Sequence, residues 1–566
     1  MTQYQRLPAR PDIGHLKKQA KDLLALYRSN DPAAFQRFRG ALPSAAGKSD
    51  ATLAALGLRL HDAQSCTARE YGFASWADLQ GFVTARRAQA DDPGKALLHW
   101  LGLVYAGDIS GGMNRARPAV ALRLLEDHPA LLGTSDPWLA CATGDEAVLR
   151  QATAQDPGWV HRAGGPLRLP PLVAVTHSGL VQLPGYRERL HACAKFLLAA
   201  GASPDQSVGS RWDPASLEAR AETERLSALY GAAGSNRDPA LTQLLLDAGA
   251  NPNDGESLYH SLENPACTAL LLQAGARITG TNAMYRGLDL DDVGTLQLLL
   301  AHGGDANEAP LGPPTSDWGS LLLWAIRRRR SPAHIQALLA AGARPDVCTQ
   351  DGTPAHIAAL RFGLTEVALL LQPAAAATTG AGNAAALPVD EAFIAACARG
   401  DAAAARAIEA THPGLIATLS PTQLRLLPEL AAQQGCSAAV QTMVTLGWPI
   451  EVRGGDWDAS ALNQAVFRGD AALTRFLLAH GADWQALHGF DDNASGTLSW
   501  ASLNEPEPGG DWVGCAQALV AHGMPTARPD PEGTGDGAVL LGGQRSRFSE
   551  EVADYLLGLP ATAQPG

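Results

Sequence analysis

Histidine, carboxylate and cysteine side chains are the residues of this chain that could bind a metal ion or transfer a proton. His15, His61, Asp62 and Glu70 lie near the start of the chain, at spacings that match no known ligand signature. The eight cysteines are scattered singly, without the close pairs of a zinc site or of a small disulfide framework. Phosphate-loop, dinucleotide and nucleophile-elbow motifs are absent from the sequence. We therefore expect buried, reduced thiols, and we predict no catalytic residue, metal site or cofactor.

Length and charge restrict the class of protein further. The 566 residues exceed what one compact core accommodates, so we expect several domains or a repeat array. A formal net charge of -13 argues against a nucleic-acid or anionic-membrane binder. No apolar run in the sequence is long enough to span a bilayer, and the first residues lack the apolar core of a secretory signal. We expect a cytoplasmic location.

One phrase recurs along most of the chain. It reads "KFLLAAGASPD" from Lys195, "QLLLDAGANPN" from Gln243, "QALLAAGARPD" from Gln336 and "RFLLAHGADWQ" from Arg475. Its leucines suit the buried face of a helix, and its glycine suits the left-handed position that closes a helix. The glycines of six such phrases are Gly201, Gly249, Gly275, Gly303, Gly342 and Gly481. A shorter helical segment precedes each phrase, so the pattern predicts a repeat of turn, helix, helix and turn.

The repeat resembles the ankyrin repeat. The stretch "DGTPAHIAALRFGLTEVALLLQ" carries both the threonine–proline opening and the leucine-rich close of that family. Along the chain, the repeat recurs with a period near thirty-three residues. The resemblance implies an all-α solenoid, in which neighbouring helix pairs share one core because a single pair cannot bury its apolar faces. It also implies a concave binding surface, formed by the projecting turns (the fingers) and by the ends of the first helices.

The ankyrin register assigns aromatic and arginine side chains to that concave surface. It places Trp457 in a finger, with Phe467 and Arg468 at the end of the following helix. The same register places Trp318 in an earlier finger, above Arg327 and Arg328. Tryptophan and arginine dominate binding hot spots, because one buries a large rigid surface and the other forms forked hydrogen bonds. These six residues are the predicted partner-binding site. Packing of Trp457 on a neighbouring finger is the alternative.

Four regions are predicted along the chain. Residues 1–85 have their own apolar periodicity and resemble a short helical module that precedes ankyrin arrays in bacterial proteins. Two ankyrin subarrays are predicted at 95–371 and 389–560. The segment 372–388, rich in alanine, glycine and threonine, is predicted to be a flexible linker and the weakest joint of the array.

These features favour a non-enzymatic interaction scaffold that holds a partner polypeptide on its concave surface. The arginine run from Arg327 to Arg330 suggests an acidic partner, and neither nucleic acid nor membrane is expected. Two alternatives stay open. One is an enzyme with its site in the N-terminal module or between the subarrays, and the other is a small-molecule or toxin-neutralising binder.

Overall fold

The computed structural model describes residues 4–8, 10–112, 114–132, 136–212, 216–310, 312, 319–372, 387–530 and 537–559, with the backbone alone at 88–91 and 93. The chain divides into two compact units, Met1–Ala283 (unit 1) and Met284–Gly566 (unit 2). Helices dominate both units, and short helix pairs recur along the chain. The fold is an all-α, ankyrin-type solenoid preceded by further helices. Among the described helices, none has the length and apolar character needed to cross a bilayer.

Unit 1 begins with helices that do not belong to the repeated helix pairs. They are Ile13–Arg28, Pro32–Ala41, Asp50–Ala54, Leu60–Glu70, Trp76–Asp91, Pro93–Val104, Gly107–Ser110 and Pro118–Asp127. The first of them share a buried core that includes Leu23, Tyr27, Phe38 and Leu53. Tyr27 anchors this core, because its hydroxyl donates a hydrogen bond to the carbonyl of Leu53 at 2.6 Å. Helix Trp76–Asp91 continues past residue 85, where the sequence predicts the end of this module.

The helix pairs of unit 1 follow. They are Pro137–Thr143 with Glu146–Gln155, Pro171–Thr176 with Arg187–Ala199, Ala228–Tyr230 with Pro239–Asp247, and Ser257–Ser261 with Pro265–Gln273. An antiparallel hairpin, Ser207–Ser210 with Ala221–Ser227, is inserted before the third pair. The sequence did not predict this hairpin.

Unit 2 continues the pattern. Its pairs are Ala283–Asp289 with Val293–Ala301 (Ala283 itself belongs to unit 1), Leu321–Arg327 with Pro332–Ala340, Ala355–Arg361 with Thr365–Leu370, Val389–Ala398 with Ala402–Thr411, Leu426–Ala431 with Ser437–Thr445, Ala461–Phe467 with Ala471–Ala479, and Ala494–Asn504 with Trp512–Ala521. The finger before Ala461 is a short antiparallel hairpin, whose strands Arg453–Gly454 and Ala459–Ser460 have two residues each. A small antiparallel sheet, Ala527–Pro529, Ala538–Leu541 and Gln544–Arg547, and helix Glu550–Leu557 follow the last pair.

The predicted closing glycines are confirmed. Gly201, Gly249, Gly275, Gly303, Gly342 and Gly481 all adopt left-handed backbone, with φ between 89° and 96°. The second helices begin at side-chain caps such as Asp238, Asn264 and Asp470, which accept hydrogen bonds from backbone amides of the first turn. One leucine of each repeated phrase has no exposed surface, as at Leu245, Leu338 and Leu477. Local sequence therefore sets both the ends and the buried face of these helices.

The predicted linker is not a described part of the fold. Of the range 372–388, residues 373–386 lie outside the described residues. Leu371, the last residue before this range, is buried at 2% exposure.

Candidate functional site

The arginines predicted to bind a partner are held by carboxylates of the same chain. Arg327, at the end of helix Leu321–Arg327, is 4% exposed. Its guanidinium lies 3.1 Å from Glu429 and 2.5 Å from Asp456. Burial lowers the pKa of Arg327, but these two carboxylates outweigh burial and the net shift is upward. Arg327 therefore links the end of its own helix to helix Leu426–Ala431, which contains Glu429, and to the finger that contains Asp456.

Arg328 is held in a similar way. Its Nε lies 2.9 Å from Asp289 and its Nη2 lies 3.1 Å from Asp456, so Asp456 bridges the two neighbouring arginines. The guanidinium also stacks 4.2 Å from the centre of the Trp324 ring. Carboxylates of unit 2 thus neutralise Arg327 and Arg328, two of the four arginines that suggested an acidic partner. Trp318, the third residue predicted there, lies outside the described residues.

Arg468 caps an earlier helix. Its Nη1 donates hydrogen bonds to the carbonyls of Ala431 at 3.2 Å and Gln433 at 2.9 Å, at the end of helix Leu426–Ala431. Carbonyls at a helix end have no partner within their own helix, and an arginine can satisfy them. The side chain of Arg468 is 11% exposed. Its geometry is that of a link between repeats.

Trp457 and Phe467 belong to a group of aromatic rings, which we call the aromatic surface. Trp457, in the finger, packs on Phe467 at 5.6 Å between ring centres and on His488 at 4.8 Å. Phe467 stacks on Trp500 at 5.4 Å, with the two planes 9° apart. Phe490 meets the edge of His488 at 6.1 Å. The aromatic surface thus comprises Trp457, Phe467, His488, Phe490 and Trp500, all of them in unit 2.

Much of the aromatic surface faces solvent. Phe490 is 76% exposed and Trp500 is 52% exposed. Leu487 and Leu503, at 50% and 46% exposure, add aliphatic area in the same two segments of the chain. Trp457 and Phe467 are half-buried; Phe467 supports Trp500, and the buried His488 ring supports Phe490. Apolar rings exposed together on a rigid support are typical of interaction surfaces.

Carboxylates accompany these rings. Asp491 and Asp492 are exposed, and neither forms an ion pair with a residue that the structure describes. Burial lowers the pKa of His488, and the charges of Asp492 and Asp491 oppose that shift. Asp458, in the finger of Trp457, pairs with Arg453 at 2.8 Å. The surroundings of the aromatic surface are therefore negative.

A polar cleft of about 290 Å³ lies elsewhere in unit 2. Its lining includes Arg327, Arg361, Arg425, Asp351 and Glu429. Arg361 binds Glu391 through two parallel hydrogen bonds, Nη2 to Oε1 at 2.6 Å and Nε to Oε2 at 3.0 Å. Arg425 is exposed, and within the described ranges no carboxylate pairs with it.

The sequence prediction missed Arg361 and Arg425. A signal for Arg361 was present: it stands two residues before the left-handed Gly363, as Phe467 stands two before Gly469. Arg327 has the same position, because Arg329 takes the left-handed backbone there with φ 54°. The sequence has no comparable signal for Arg425, whose place in the cleft depends on the packing of distant repeats.

His15, His61, Asp62 and Glu70 each contact a side chain within the N-terminal helices. Glu70 accepts two hydrogen bonds of 2.8 Å from Arg37, His61 lies 3.3 Å from Asp62, and the His15 ring contacts Gln19 at 3.0 Å. Across the described residues, histidine, cysteine and carboxylate side chains form no group of three that could hold a metal ion. These four residues therefore do not converge on one site.

Comparison with known proteins gives structural likenesses only. A scan against protein-family models finds no match, and a search of curated proteins finds none. Among solved structures, the human ASB11 ankyrin repeat domain is 19% identical, with 42% of this chain and 99% of that chain covered and a TM-score of 0.30. The ankyrin repeat domain of Bcl-3, a unique member of the IkappaB protein family, is 20% identical, with 42% and 98% covered and a TM-score of 0.32. With TM-scores this low, the fold assignment rests on the helix pairs and their closing glycines.

Proposed function

We propose that this protein is a non-enzymatic interaction protein, and that its aromatic surface binds a partner polypeptide. The observation that carries the proposal is the pair of exposed rings, Phe490 and Trp500, which pack on His488 and on Phe467. This packing restrains the orientation of the exposed rings, which lowers the entropy that binding costs. Trp457 in its finger and Phe467 at the end of its helix are the two rings of this surface that the ankyrin register assigns to a binding face.

The surroundings favour a partner with a cationic side chain next to an apolar one. Asp491 and Asp492 supply uncompensated negative charge near the exposed rings. Aromatic faces attract lysine and arginine as well, through the ring quadrupole. The acidic partner predicted from Arg327 and Arg328 is less favoured, because Asp289, Glu429 and Asp456 already neutralise these arginines.

Retention of partner proteins by the immobilised full chain tests the proposal. Trp500→Ala and Phe490→Ala remove exposed rings from the aromatic surface, and each should lower partner affinity by about 2 kcal/mol or more if the ring is a hot spot. Leu369→Ala is the matched control, because Leu369 is 62% exposed on a second helix of the same unit. We expect the control to retain the proteins that wild type retains. Equal retention by wild type and both ring variants would refute the aromatic surface as the docking site.

Small-molecule binding in the polar cleft is a second candidate function. The exposed guanidinium of Arg425, which no described carboxylate neutralises, favours a small anionic ligand. Thermal unfolding of wild type and of Arg425→Met in the presence of small anions tests this candidate. Ligands that bind in the cleft should raise the wild-type midpoint more than that of Arg425→Met, and equal shifts in both proteins would exclude Arg425 as the binding group.

A further inference from the structure

Arg211 in unit 1 is a buried arginine that forms no ion pair with a carboxylate of the described residues. It follows strand Ser207–Ser210 of the inserted hairpin and has no exposed surface. The backbone register of the hairpin shifts between Gly209 and Ser210, and an irregularity of this kind redirects the residues that follow. The fold thus places a permanent positive charge inside unit 1.

The position of Arg211 is fixed by three contacts with one short segment. Its amide donates to the carbonyl of Asp108 at 2.8 Å, and its carbonyl accepts from the amide of Gly112 at 3.3 Å. Its Nη1 donates to the carbonyl of Ile109 at 2.6 Å. These contacts hold the guanidinium in place without neutralising its charge.

The remaining edge of the guanidinium is unpaired. Nε and Nη2 are both buried and form no hydrogen bond with any residue that the structure describes. These two N–H groups point the same way and match the two oxygens of a carboxylate or phosphate. Leaving buried donors unsatisfied costs free energy, and the cost is larger for a charged group.

In two other arginines of the chain, the Nε and Nη2 groups bind a carboxylate. Nε and Nη2 of Arg361 hold both oxygens of Glu391, and Nε and Nη2 of Arg37 hold both oxygens of Glu70. Asp108 does not serve Arg211 in this way. Its Oδ2 accepts from the Tyr230 hydroxyl at 3.0 Å, and it forms no ion pair with Arg211.

Two further arginines add positive charge around Arg211. Burial, together with the charges of Arg220 and Arg168, lowers the pKa of Arg211 to about 10. The Cβ of Arg220 lies so close to strand Ser207–Ser210 that a side chain at Gly209 would meet it at 3.2 Å. Neither Arg168 nor Arg220 forms an ion pair within the described part of the chain.

We propose that Arg211 is the anchor of an oxyanion-binding site in unit 1, which takes the phosphate or carboxylate group of a small ligand on its Nε and Nη2 edge. Arg220 and Arg168 raise the local positive potential and favour the anion over neutral ligands. The site is separate from the aromatic surface and from the polar cleft, which belong to unit 2.

Binding of inorganic phosphate and of acetate to the full-length protein, measured by titration calorimetry at constant ionic strength, tests the proposal. Wild type and Arg425→Met, which lacks the exposed guanidinium of the polar cleft, should both bind an anion saturably, and the tighter of the two probes identifies the class of ligand group. Arg211→Met should weaken binding about tenfold or more, the equivalent of about 1.4 kcal/mol. Arg211→Lys keeps the charge but loses the paired donors, so its affinity should lie between the two.

Arg225→Met is the control, because Arg225 lies on the neighbouring strand, is exposed, and bonds to Ser207 and Glu222. It should bind phosphate as wild type does. Absence of saturable binding of either probe up to about 10 mM would overturn the proposal, as would unchanged affinity in both Arg211 variants. Asp213 lies outside the described residues. If Asp213→Asn binds phosphate and wild type does not, Arg211 pairs with its own chain and the proposal is equally wrong.

Discussion

Arg361 in unit 2 and Arg211 in unit 1 are both buried, yet they differ in what their guanidinium groups contact. The Nε and Nη2 groups of Arg361 donate hydrogen bonds to Glu391, and its Nη1 lies 3.3 Å from Asp351. Among the described residues, the guanidinium of Arg211 bonds to the carbonyl of Ile109 alone, through Nη1. Arg361 completes an internal ion pair, whereas the Nε and Nη2 groups of Arg211 have no partner in the part of the chain that the structure describes.

This difference separates structural from binding arginines in a repeat protein. A buried charge in a satisfied pair holds a particular arrangement of repeats, and removing one partner leaves the other buried without compensation. A buried charge without a partner destabilises the fold unless a ligand supplies the missing acceptors. Arginine content alone, which drew attention to the run from Arg327 to Arg330, does not make this distinction.

The largest effect should come from breaking the internal pairs of unit 2. Arg327→Met leaves Glu429 buried and unpaired and removes one contact of Asp456, so we expect a loss of about 3 to 5 kcal/mol in the free energy of unfolding. Urea denaturation measures this change. Arg344→Met is the control, since Arg344 and Asp346 form a pair that is 68% and 69% exposed. The control should lose no more than about 1 kcal/mol. Equal losses in the two variants would contradict the structural role of Arg327.

A smaller effect is expected at Arg468. Arg468→Ala leaves the carbonyls of Ala431 and Gln433 without their donor, which should cost about 1 to 3 kcal/mol of stability. Arg468→Lys retains a donor and should recover part of that loss. Both variants should retain partner proteins at saturating concentration if they are folded. Loss of partner retention without any loss of stability would restore Arg468 to the binding surface, where the sequence register placed it.

The smallest effect concerns pH and unit 1. Burial lowers the pKa of His177 from 6.5, and the charge of Asp108 only partly opposes the shift. His177 therefore stays neutral in the folded state while the unfolded chain takes up a proton below about pH 6.5. Stability should fall as pH drops from about 6.5 towards the folded-state pKa, by at most about 1.4 kcal/mol per pH unit. His177→Gln should flatten this dependence in urea midpoints measured between pH 5 and 7.5. An unchanged slope would mean that His177 titrates normally in the fold.

The sequence predicted the features of the fold that depend on neighbouring residues. Gly201 and Gly342 close their helices as expected. At three such helix ends the structure also shows His302, His480 and His522, each with Nδ1 within 2.9 Å of a carbonyl four residues earlier. Such contacts lie within one helical turn, so residue type and spacing are sufficient to infer them. The sequence did not predict the hairpin that contains Arg211, because its short, polar segments show no pattern that indicates a strand.

Candidate site residues were harder to predict, because their partners come from remote repeats. The register placed Arg327 at a helix end, but Glu429, its partner, lies 102 positions further along the chain. Trp457 was assigned to a finger, whereas its contact with His488 depends on how the next finger folds back. Periodicity locates a side chain on its own repeat, and it does not reveal what the side chain meets across the array.

The most direct test of this account compares the stability of Arg211→Met with that of Arg327→Met in a buffer free of phosphate and carboxylates. We predict opposite behaviour. Arg327→Met should lose about 3 to 5 kcal/mol, because it orphans a buried carboxylate. Arg211→Met removes a buried charge that has no counterion among the described residues, so its free energy of unfolding should stay within about 1 kcal/mol of wild type or rise. If Arg211→Met loses as much stability as Arg327→Met, then Arg211 is neutralised within the chain, and the contrast between the two units is wrong.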